Sequence, residues 1–484
     1  KESVFFFFLI SAFFLSLVFL YFWGEAKNDY NDFDWYTYRS LGYWFLWSVL
    51  ILAVVAVLFT YVALLVVLAV CLLSEGQQLY LHWCHKVGTL VVLVLFIAAL
   101  AALSNLWGEE WSAVRLSFQV TAPYLHIGSL ACMTLLSWPM ALYFVRMNKI
   151  SSQLIIAGPY LAVLLFLYFI PLGMYSPCIR QEGTLGAKPL LIGHRGSPML
   201  APENTKMSFE KTIENEGDGL ETDVTISYDG VPFLMHDGTL KRTTNVQELY
   251  PNLTNANAAM LPWDLLETLN AGKWFTKVLN PPFSSMGSLS AEDQQIARNQ
   301  SIPKLSDYLK LAERANKTVL FDLYRPPKDH PYRDSWINRT LDVILNETTI
   351  DPKLVLWLVS DMRSFVQTVA PGFQQTQGFK SSVEELVSNH IVKLNLPYSQ
   401  MSQHDIRMYA AANITTNFYV VSEPWLYSLA WCAGAHSVTT NTVGMLKRMD
   451  KPIVFQTPAQ YNLMWILTDI ISAFLIALIF VLHW

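Results

Sequence analysis

The chain has 484 residues, 53% of them hydrophobic and only 15% charged, with a formal net charge of −5. Its mean hydropathy is +0.30 and its pI about 6.1. No Lys/Arg block occurs, so nothing points to a nucleic-acid partner, and five cysteines are too few for a disulfide-built scaffold.

The apolar excess is local. A spanning helix needs about 20 apolar residues. Six stretches qualify: Val4–Trp23, Trp44–Leu73, Val87–Trp107, Ala122–Val145, Leu154–Leu172 and Tyr461–Trp484. The second is too long for an upright helix and is expected to tilt or run past the bilayer. The first has a longer apolar run than a signal peptide and no small-residue cleavage site after it, so a retained helix is expected. Residues 1–175 are thus predicted to hold five crossings and 461–484 a sixth, making a multi-pass α-helical membrane protein. The chain opens on Lys1 and closes inside an apolar run at His483-Trp484, which suggests polar tails beyond both ends. Cys71, Cys84 and Cys132 lie in or beside these segments and read as small buried hydrophobes. Cys178 and Cys432 fall outside them and could pair if the fold brings them together. His126 and Asp469 are ionisable residues inside apolar runs; both are expected near segment ends, hydrated at the interface.

Loop charge sets the orientation. The loop Gly24–Ser40 is acidic, with Glu25, Asp29, Asp32 and Asp34 against Lys27 and Arg39. The loops 74–86 and 146–153 carry Lys86, and Arg146 with Lys149. The N-terminus and these two loops are therefore predicted to be cytoplasmic, and residue 173 onward outside, at the plasma membrane. Sequons at Asn252, Asn299, Asn316, Asn338, Asn346 and Asn413 all fall in that outer segment, as expected of a glycosylated ectodomain.

From 186 to 456 the composition is that of an ordinary globular domain, about 270 residues, enough for one large core. Strands are predicted at Leu190–Gly193, Gly219–Ile226, Val231–Met235, Thr318–Leu323, Leu354–Val359, Ile391–Leu394, Phe418–Val421 and Ser437–Thr440. Helices are predicted at Asn204–Glu216 and Leu305–Asn316, and near 361–370, 383–390, 402–412 and 424–433. This alternation predicts an α/β TIM barrel, interrupted by an Asn-, Pro- and Ser-rich insertion over about 243–301.

Barrel enzymes build their sites at the C-terminal ends of the strands. His194 ends the first predicted strand, His236 follows Val231–Met235, and Asp322 lies near the end of its own. Glu221 and Asp223 are two apart on a strand, so their side chains share a face. Bare carboxylates so placed repel unless a cation sits between them. Asp322 would complete an all-oxygen set that suits Mg²⁺ or Ca²⁺ better than zinc. His194 and His236 suit a general acid and base. Arg195 offers a planar fork for phosphate oxygens, and Lys393 a further positive charge. Glu203 would hold Arg195 or touch the metal, or simply stabilise a helix start. Together these groups could cleave a phosphodiester, the nucleophile being a neighbouring hydroxyl of the substrate or water.

His194-Arg195-Gly196, Pro202-Glu203-Asn204-Thr205, Glu221-Thr222-Asp223 and Val231 through His236-Asp237 resemble the glycerophosphodiester phosphodiesterase family. The six spans, the large domain between the fifth and sixth, and Pro424-Trp425 with Trp431-Cys432-Ala433-Gly434 resemble its six-transmembrane vertebrate branch. The resemblance implies a TIM barrel and a divalent cation on Glu221 and Asp223. It implies His194 and His236 as the acid/base pair and Arg195 on phosphate. It also implies glycerophosphodiesters such as glycerophosphoinositol or glycerophosphocholine, or GPI-anchored proteins, as substrates. One departure stands out: soluble members carry Glu-x-Lys where this chain has Asp322-Leu323-Tyr324, so Arg325 or Lys393 is expected to supply the missing charge. The competing reading is a weakly active or inactive barrel serving as a signalling or binding module. A six-helix transporter would need a midplane site, and the sequence shows none. Oligomeric state leaves no trace in the sequence.

Overall fold

Contacts divide the chain into two units: Lys1–Tyr30, Trp47–Leu185 and Val454–Trp484 in one, Asn31–Leu46 and Gly186–Ile453 in the other. The computed structural model describes every residue except Lys1, 26–32, 35, 38–40, 42–44, 79, 107–110, 148 and 277–287. The loop charges Lys27, Asp29, Asp32 and Arg39, the span ends Trp44 and Trp107, and part of the predicted insertion lie outside the described residues.

The first unit is helical. Val4–Gly24, Trp47–Leu73, Trp83–Asn105, Trp111–Arg146 and Pro458–His483 are long and apolar enough to cross a membrane, and Ala157–Gly173 is a shorter apolar helix. The helix expected at Ala122 begins earlier, at Trp111, and runs to Arg146 through Pro123 and Pro139. Cys71, Cys84 and Cys132, expected to be buried, are exposed. His126 and Asp469 depart from expectation as well. They lie within the helices Trp111–Arg146 and Pro458–His483 and face each other, Nε2 to Oδ1, at 3.4 Å. Their side chains are 1% and 16% exposed, which is incompatible with reaching out to an interface. Nearby, Thr134 and Ser472 hydroxyls meet at 2.8 Å and Tyr168 donates to Ser472 at 3.3 Å. Lipid tails are as apolar as leucine, so such polar contacts, with close packing, are what can hold spanning helices in register.

The second unit is a closed barrel of eight parallel strands. They are β1 (Leu190–Gly193), β2 (Gly219–Ile226), β4 (Thr318–Leu323), β5 (Val355–Trp357), β6 (Gln374–Gln377), β7 (Ile391–Pro397), β8 (Thr415–Tyr419) and β9 (Ser437–Thr440). β1 closes the ring by pairing with both β2 and β9. Outside the ring, Phe209, Tyr308, Leu309, Trp336 and Ile337 of the surrounding helices pack on Leu220, Val224, Phe321 and Trp357 of the strands. The helix Leu305–Arg314 shows why it docks: Leu305, Tyr308, Leu309 and Ala312 recur at helical spacing and are all buried.

Three features differ from the sequence reading. The strand at Val231–Met235 is no stave: β3 (Pro232–Leu234) pairs antiparallel with the end of β2, Val224 opposite Leu234. The eighth stave is instead β6, whose Gln-Gln-Thr-Gln carries no apolar signal. The helix Trp336–Asn346 between β4 and β5 was also unexpected. The β2–β3 hairpin turns at Gly230, where φ is +89° and an added Cβ would lie 2.4 Å from the Tyr332 ring, so glycine is required. The predicted insertion follows β3 and has a small core of its own, in which Phe233 and Met235 pack with Leu240, Val246, Trp263 and Leu266.

Candidate active site

The loop after β1 doubles back on itself. Arg195 and Asn204 both adopt left-handed backbone, φ +52° and +56°, a strained choice for non-glycine residues. The fold holds them there. The Arg195 carbonyl accepts from Asn204 N at 3.0 Å and from Ser208 Oγ at 2.8 Å, and Thr205 caps the helix Lys206–Glu214 by accepting from Ser208 N. The result aims Arg195 N–H at Glu221 Oε2, 2.7 Å away.

β2 and β4 run side by side with Asp223 opposite Asp322. Glu221, Asp223 and Asp322 offer oxygens that all lie within 4.8 Å of one another. Burial, then repulsion from Asp223 and Asp322, pushes Glu221 well above the usual carboxylate range. Burial, then Asp223, pushes Asp322 up to about 6. Burial would raise Asp223 too, but the Arg195 guanidinium, with His236 and the Asn204 and Tyr324 hydrogen bonds, holds it below its ordinary value. Two buried acids and a half-buried third that resist carrying their charges together are what a hard divalent cation would relieve, and the all-oxygen donor set fits one.

The other groups surround this cluster. His194 N donates to Thr440 O, and His194 Nδ1 lies 2.7 Å from Asn441 Oδ1, just past β9. An amide oxygen only accepts, so Nδ1 bears the proton and Nε2 the lone pair. Burial, then Arg195, lowers His194 to about 4. His236 reaches the mouth because the antiparallel β3 brings the chain back beside Asp223, whose carbonyl accepts from Met235 N at 3.0 Å. His236 Nδ1 lies 2.8 Å from Asp237 Oδ1. Arg195 Nη1 donates to Glu203 Oε1 at 3.1 Å, and its Nε lies 3.2 Å from Asp223 Oδ2. Asn204 donates to Asp223 at 2.9 Å. Glu203 therefore holds arginine rather than joining the acid cluster. Burial would raise it, but Arg242 and Arg195 bring it down to about 2.

Lys393 is not in this group. Its Nζ lies 3.3 Å from Ser437 Oγ and 3.5 Å from His436 Nδ1. Ser437 opens β9 and pairs with Leu190, at the other end of β1 from His194. Lys393 thus sits on the order of 10 Å along the strands from the mouth, and burial lowers it to about 8. Arg325 does not fill the lysine position either; it pairs with Asp334 near the surface. Tyr324 does, donating its hydroxyl to Asp223 Oδ1 at 2.7 Å. Burial, then Asp223, raises this phenol, so it stays a donor.

Residue types alone assigned no role to Asn441 or Arg242. Asn441 follows the last stave and was accessible by the same strand-end rule as His194. Arg242 stands in an irregular stretch with no periodicity to single it out. Two clefts open at the mouth. One, of about 420 Å³, is lined by Asp322, Tyr324, Arg325, Arg363 and Phe379. The other, of about 380 Å³, is lined by His236, Asn257, Tyr324, Arg325 and Arg333. They adjoin at Tyr324 and Arg325.

The sequence profile of the glycerophosphoryl diester phosphodiesterase family matches residues 194–441. Glycerophosphodiester phosphodiesterase domain-containing protein 5 of Mus musculus is 49% identical over 482 residues, covering 100% of this chain and 79% of its own. Glycerophosphoinositol inositolphosphodiesterase GDPD2 of Mus musculus is 42% identical over 483 residues, covering 100% and 88%. Among solved structures, an Oleispira antarctica phosphodiesterase in complex with the product sn-glycerol-3-phosphate is 19% identical, covers 54% of this chain and 95% of its own, and gives a TM-score of 0.44. The family profile and the full-length relatives together make this chain a phosphodiesterase of the glycerophosphoryl diester phosphodiesterase family.

Proposed function

We propose that the chain is a membrane-anchored ectoenzyme that hydrolyses glycerophosphodiesters, such as glycerophosphoinositol or glycerophosphocholine, or GPI anchors, at the cell surface. The observation that carries this reading is the convergence of two histidines and an arginine on three clustered carboxylates at the C-terminal mouth of the barrel.

Each group has a task. His194, neutral near pH 7 with its Nε2 lone pair open, takes the proton from the attacking hydroxyl. His236, whose Nδ1 is held by Asp237, gives a proton to the leaving alkoxide. Arg195 uses Nη1 and Nε on Glu203 and Asp223, and turns its remaining amino group to the phosphate. Glu221, Asp223 and Asp322 would hold one Ca²⁺ or Mg²⁺, which supplies charge to the non-bridging oxygens and lowers the pKa of a neighbouring hydroxyl. The two clefts meeting at Tyr324 suit the two arms of a phosphodiester.

Five crossings from a cytoplasmic N-terminus would put the barrel outside, where the asparagines of all six sequons, each exposed, could carry glycans. For lipid-linked substrates the tether raises effective concentration at the bilayer. The name of the GDPD2 relative, a glycerophosphoinositol inositolphosphodiesterase, supports an inositol-bearing diester. The test is His236→Ala: release of phosphomonoester or cyclic phosphate should stop while surface expression holds. Wild-type protein that shows no cation-dependent hydrolysis would leave the barrel as a binding module.

A further inference from the structure

A buried guanidinium outside this scheme joins its two halves. Arg242, 8% exposed in its side chain, donates from Nε and Nη2 to Asp237 Oδ2 and Oδ1 at 2.7 and 3.0 Å. It donates from Nη1 and Nη2 to Glu203 Oε2 and Oε1, both at 2.7 Å. Each carboxylate has a second duty: Asp237 Oδ1 meets His236 Nδ1, and Glu203 Oε1 accepts from Arg195 Nη1. The row His236–Asp237–Arg242–Glu203–Arg195 is unbroken.

We propose that Arg242 is a positioning residue that fixes His236 and Arg195 relative to each other, so that one side chain sets both the proton donor and the phosphate contact. This rests on the acid–base reading above. Arg195 and Glu203 belong to the loop after β1, whereas His236, Asp237 and Arg242 follow β3, so the two groups reach the mouth on separate pieces of chain. A planar fork can give each of two carboxylates a pair of hydrogen bonds at once, whereas a lysine ammonium gathers its three donors on one atom and cannot hold both acids in that geometry. Asp237 and Glu203 flank the guanidinium, so removing it leaves two buried carboxylates without their shared cation. A displacement of about 1 Å in either reacting group is enough to cost roughly 10²-fold in rate.

The experiment compares wild-type full-length protein with R242K and R242G on glycerophosphoinositol and on a p-nitrophenyl phosphodiester, whose leaving oxygen needs little protonation. In R242K, kcat on glycerophosphoinositol should fall on the order of 10²-fold, a larger change than any in KM, because Arg242 acts through His236 and Arg195. The loss should be smaller on the p-nitrophenyl ester, where only the Arg195 share remains. Added methylguanidinium should restore part of the R242G rate, a rescue that a generally weakened fold would not show. If R242G does not reach the membrane, R242K, which keeps a buried charge, decides alone. Wild-type kcat in R242K, a loss confined to KM, or equal losses on both esters would overturn the proposal. Wild-type protein inactive on both esters would instead overturn the phosphodiesterase scheme beneath it.

Discussion

Each of the two units sets a histidine against a carboxylate, and the pairs are built differently. In the barrel, His236 stays 28% exposed, and its partner Asp237 is gripped by Arg242, which is itself tied to Glu203. Among the apolar helices, His126 is 1% exposed and meets Asp469 at 3.4 Å. The first pair keeps one face of the imidazole open and anchors the other through a chain of charges, as the proposed proton transfer would require. The second is shut between two helices with no hydrogen bond between the facing atoms, a fastener by contact alone. Burial of a histidine beside an acid is therefore not a signature of chemistry; an open face backed by an ordered rear is.

Substitutions put that contrast to the test. The largest effect should come from Glu221→Gln, which removes charge from the acid cluster. We expect hydrolysis to drop by roughly 10³-fold or more, with the loss read in kcat and the Tm no longer responding to EDTA. In the wild-type protein, EDTA should lower Tm more at pH 7.5 than at pH 5. The sign follows from the ion-free cluster. Asp322 rests at about 6 folded, above its ordinary 3.8, so the stability it contributes is complete below pH 3.8 and is lost as pH rises through 6. At pH 5 protons partly replace the cation, and at pH 7.5 nothing does. An EDTA effect independent of pH would count against the shared-cation reading.

Tyr324→Phe deletes one hydrogen bond to Asp223 and should reduce kcat about tenfold, the worth of a charged hydrogen bond of about 1.5 kcal/mol; an unchanged rate would make the tyrosine a mere filler of the lysine position. Asp469→Asn should leave kcat alone and lower the stability of the detergent-solubilised chain by about 1 kcal/mol. A loss of turnover there would mean the helical pair is more than a fastener. Lys393→Met should be smallest of all. With the ammonium at the far end of the barrel, kcat and KM should match wild type, and exchanging a buried cation for an apolar chain of similar length should be neutral or mildly stabilising.

Much of the barrel was legible because its chemistry is local. The His194-Arg195-Gly196 turn, the Glu221/Asp223 spacing and the apolar run before His236 each announce themselves within a few residues. What stayed hidden depends on register. β6 spells Gln-Gln-Thr-Gln and becomes a stave only because β5 and β7 flank it. The apolar character of Val231–Met235 identifies a strand but not its direction, and β3 runs against β2. Lys393 looked like a phosphate ligand by type, yet its height along β7 puts it level with Thr415 at the start of β8. Arg242 sits in a stretch without periodicity, and its importance appears only once Glu203 and Asp237 are seen on either side of it.

His236 hangs from a two-strand ribbon and not from the cylinder wall. The ribbon is footed on the separate apolar cluster around Trp263 and Leu266 and creased where Gly230 tucks under Tyr332. Closure of the ring therefore dictates the location of the acids but not the approach of this imidazole. Substitutions far out in the appended segment should therefore shift this imidazole while every stave keeps its place.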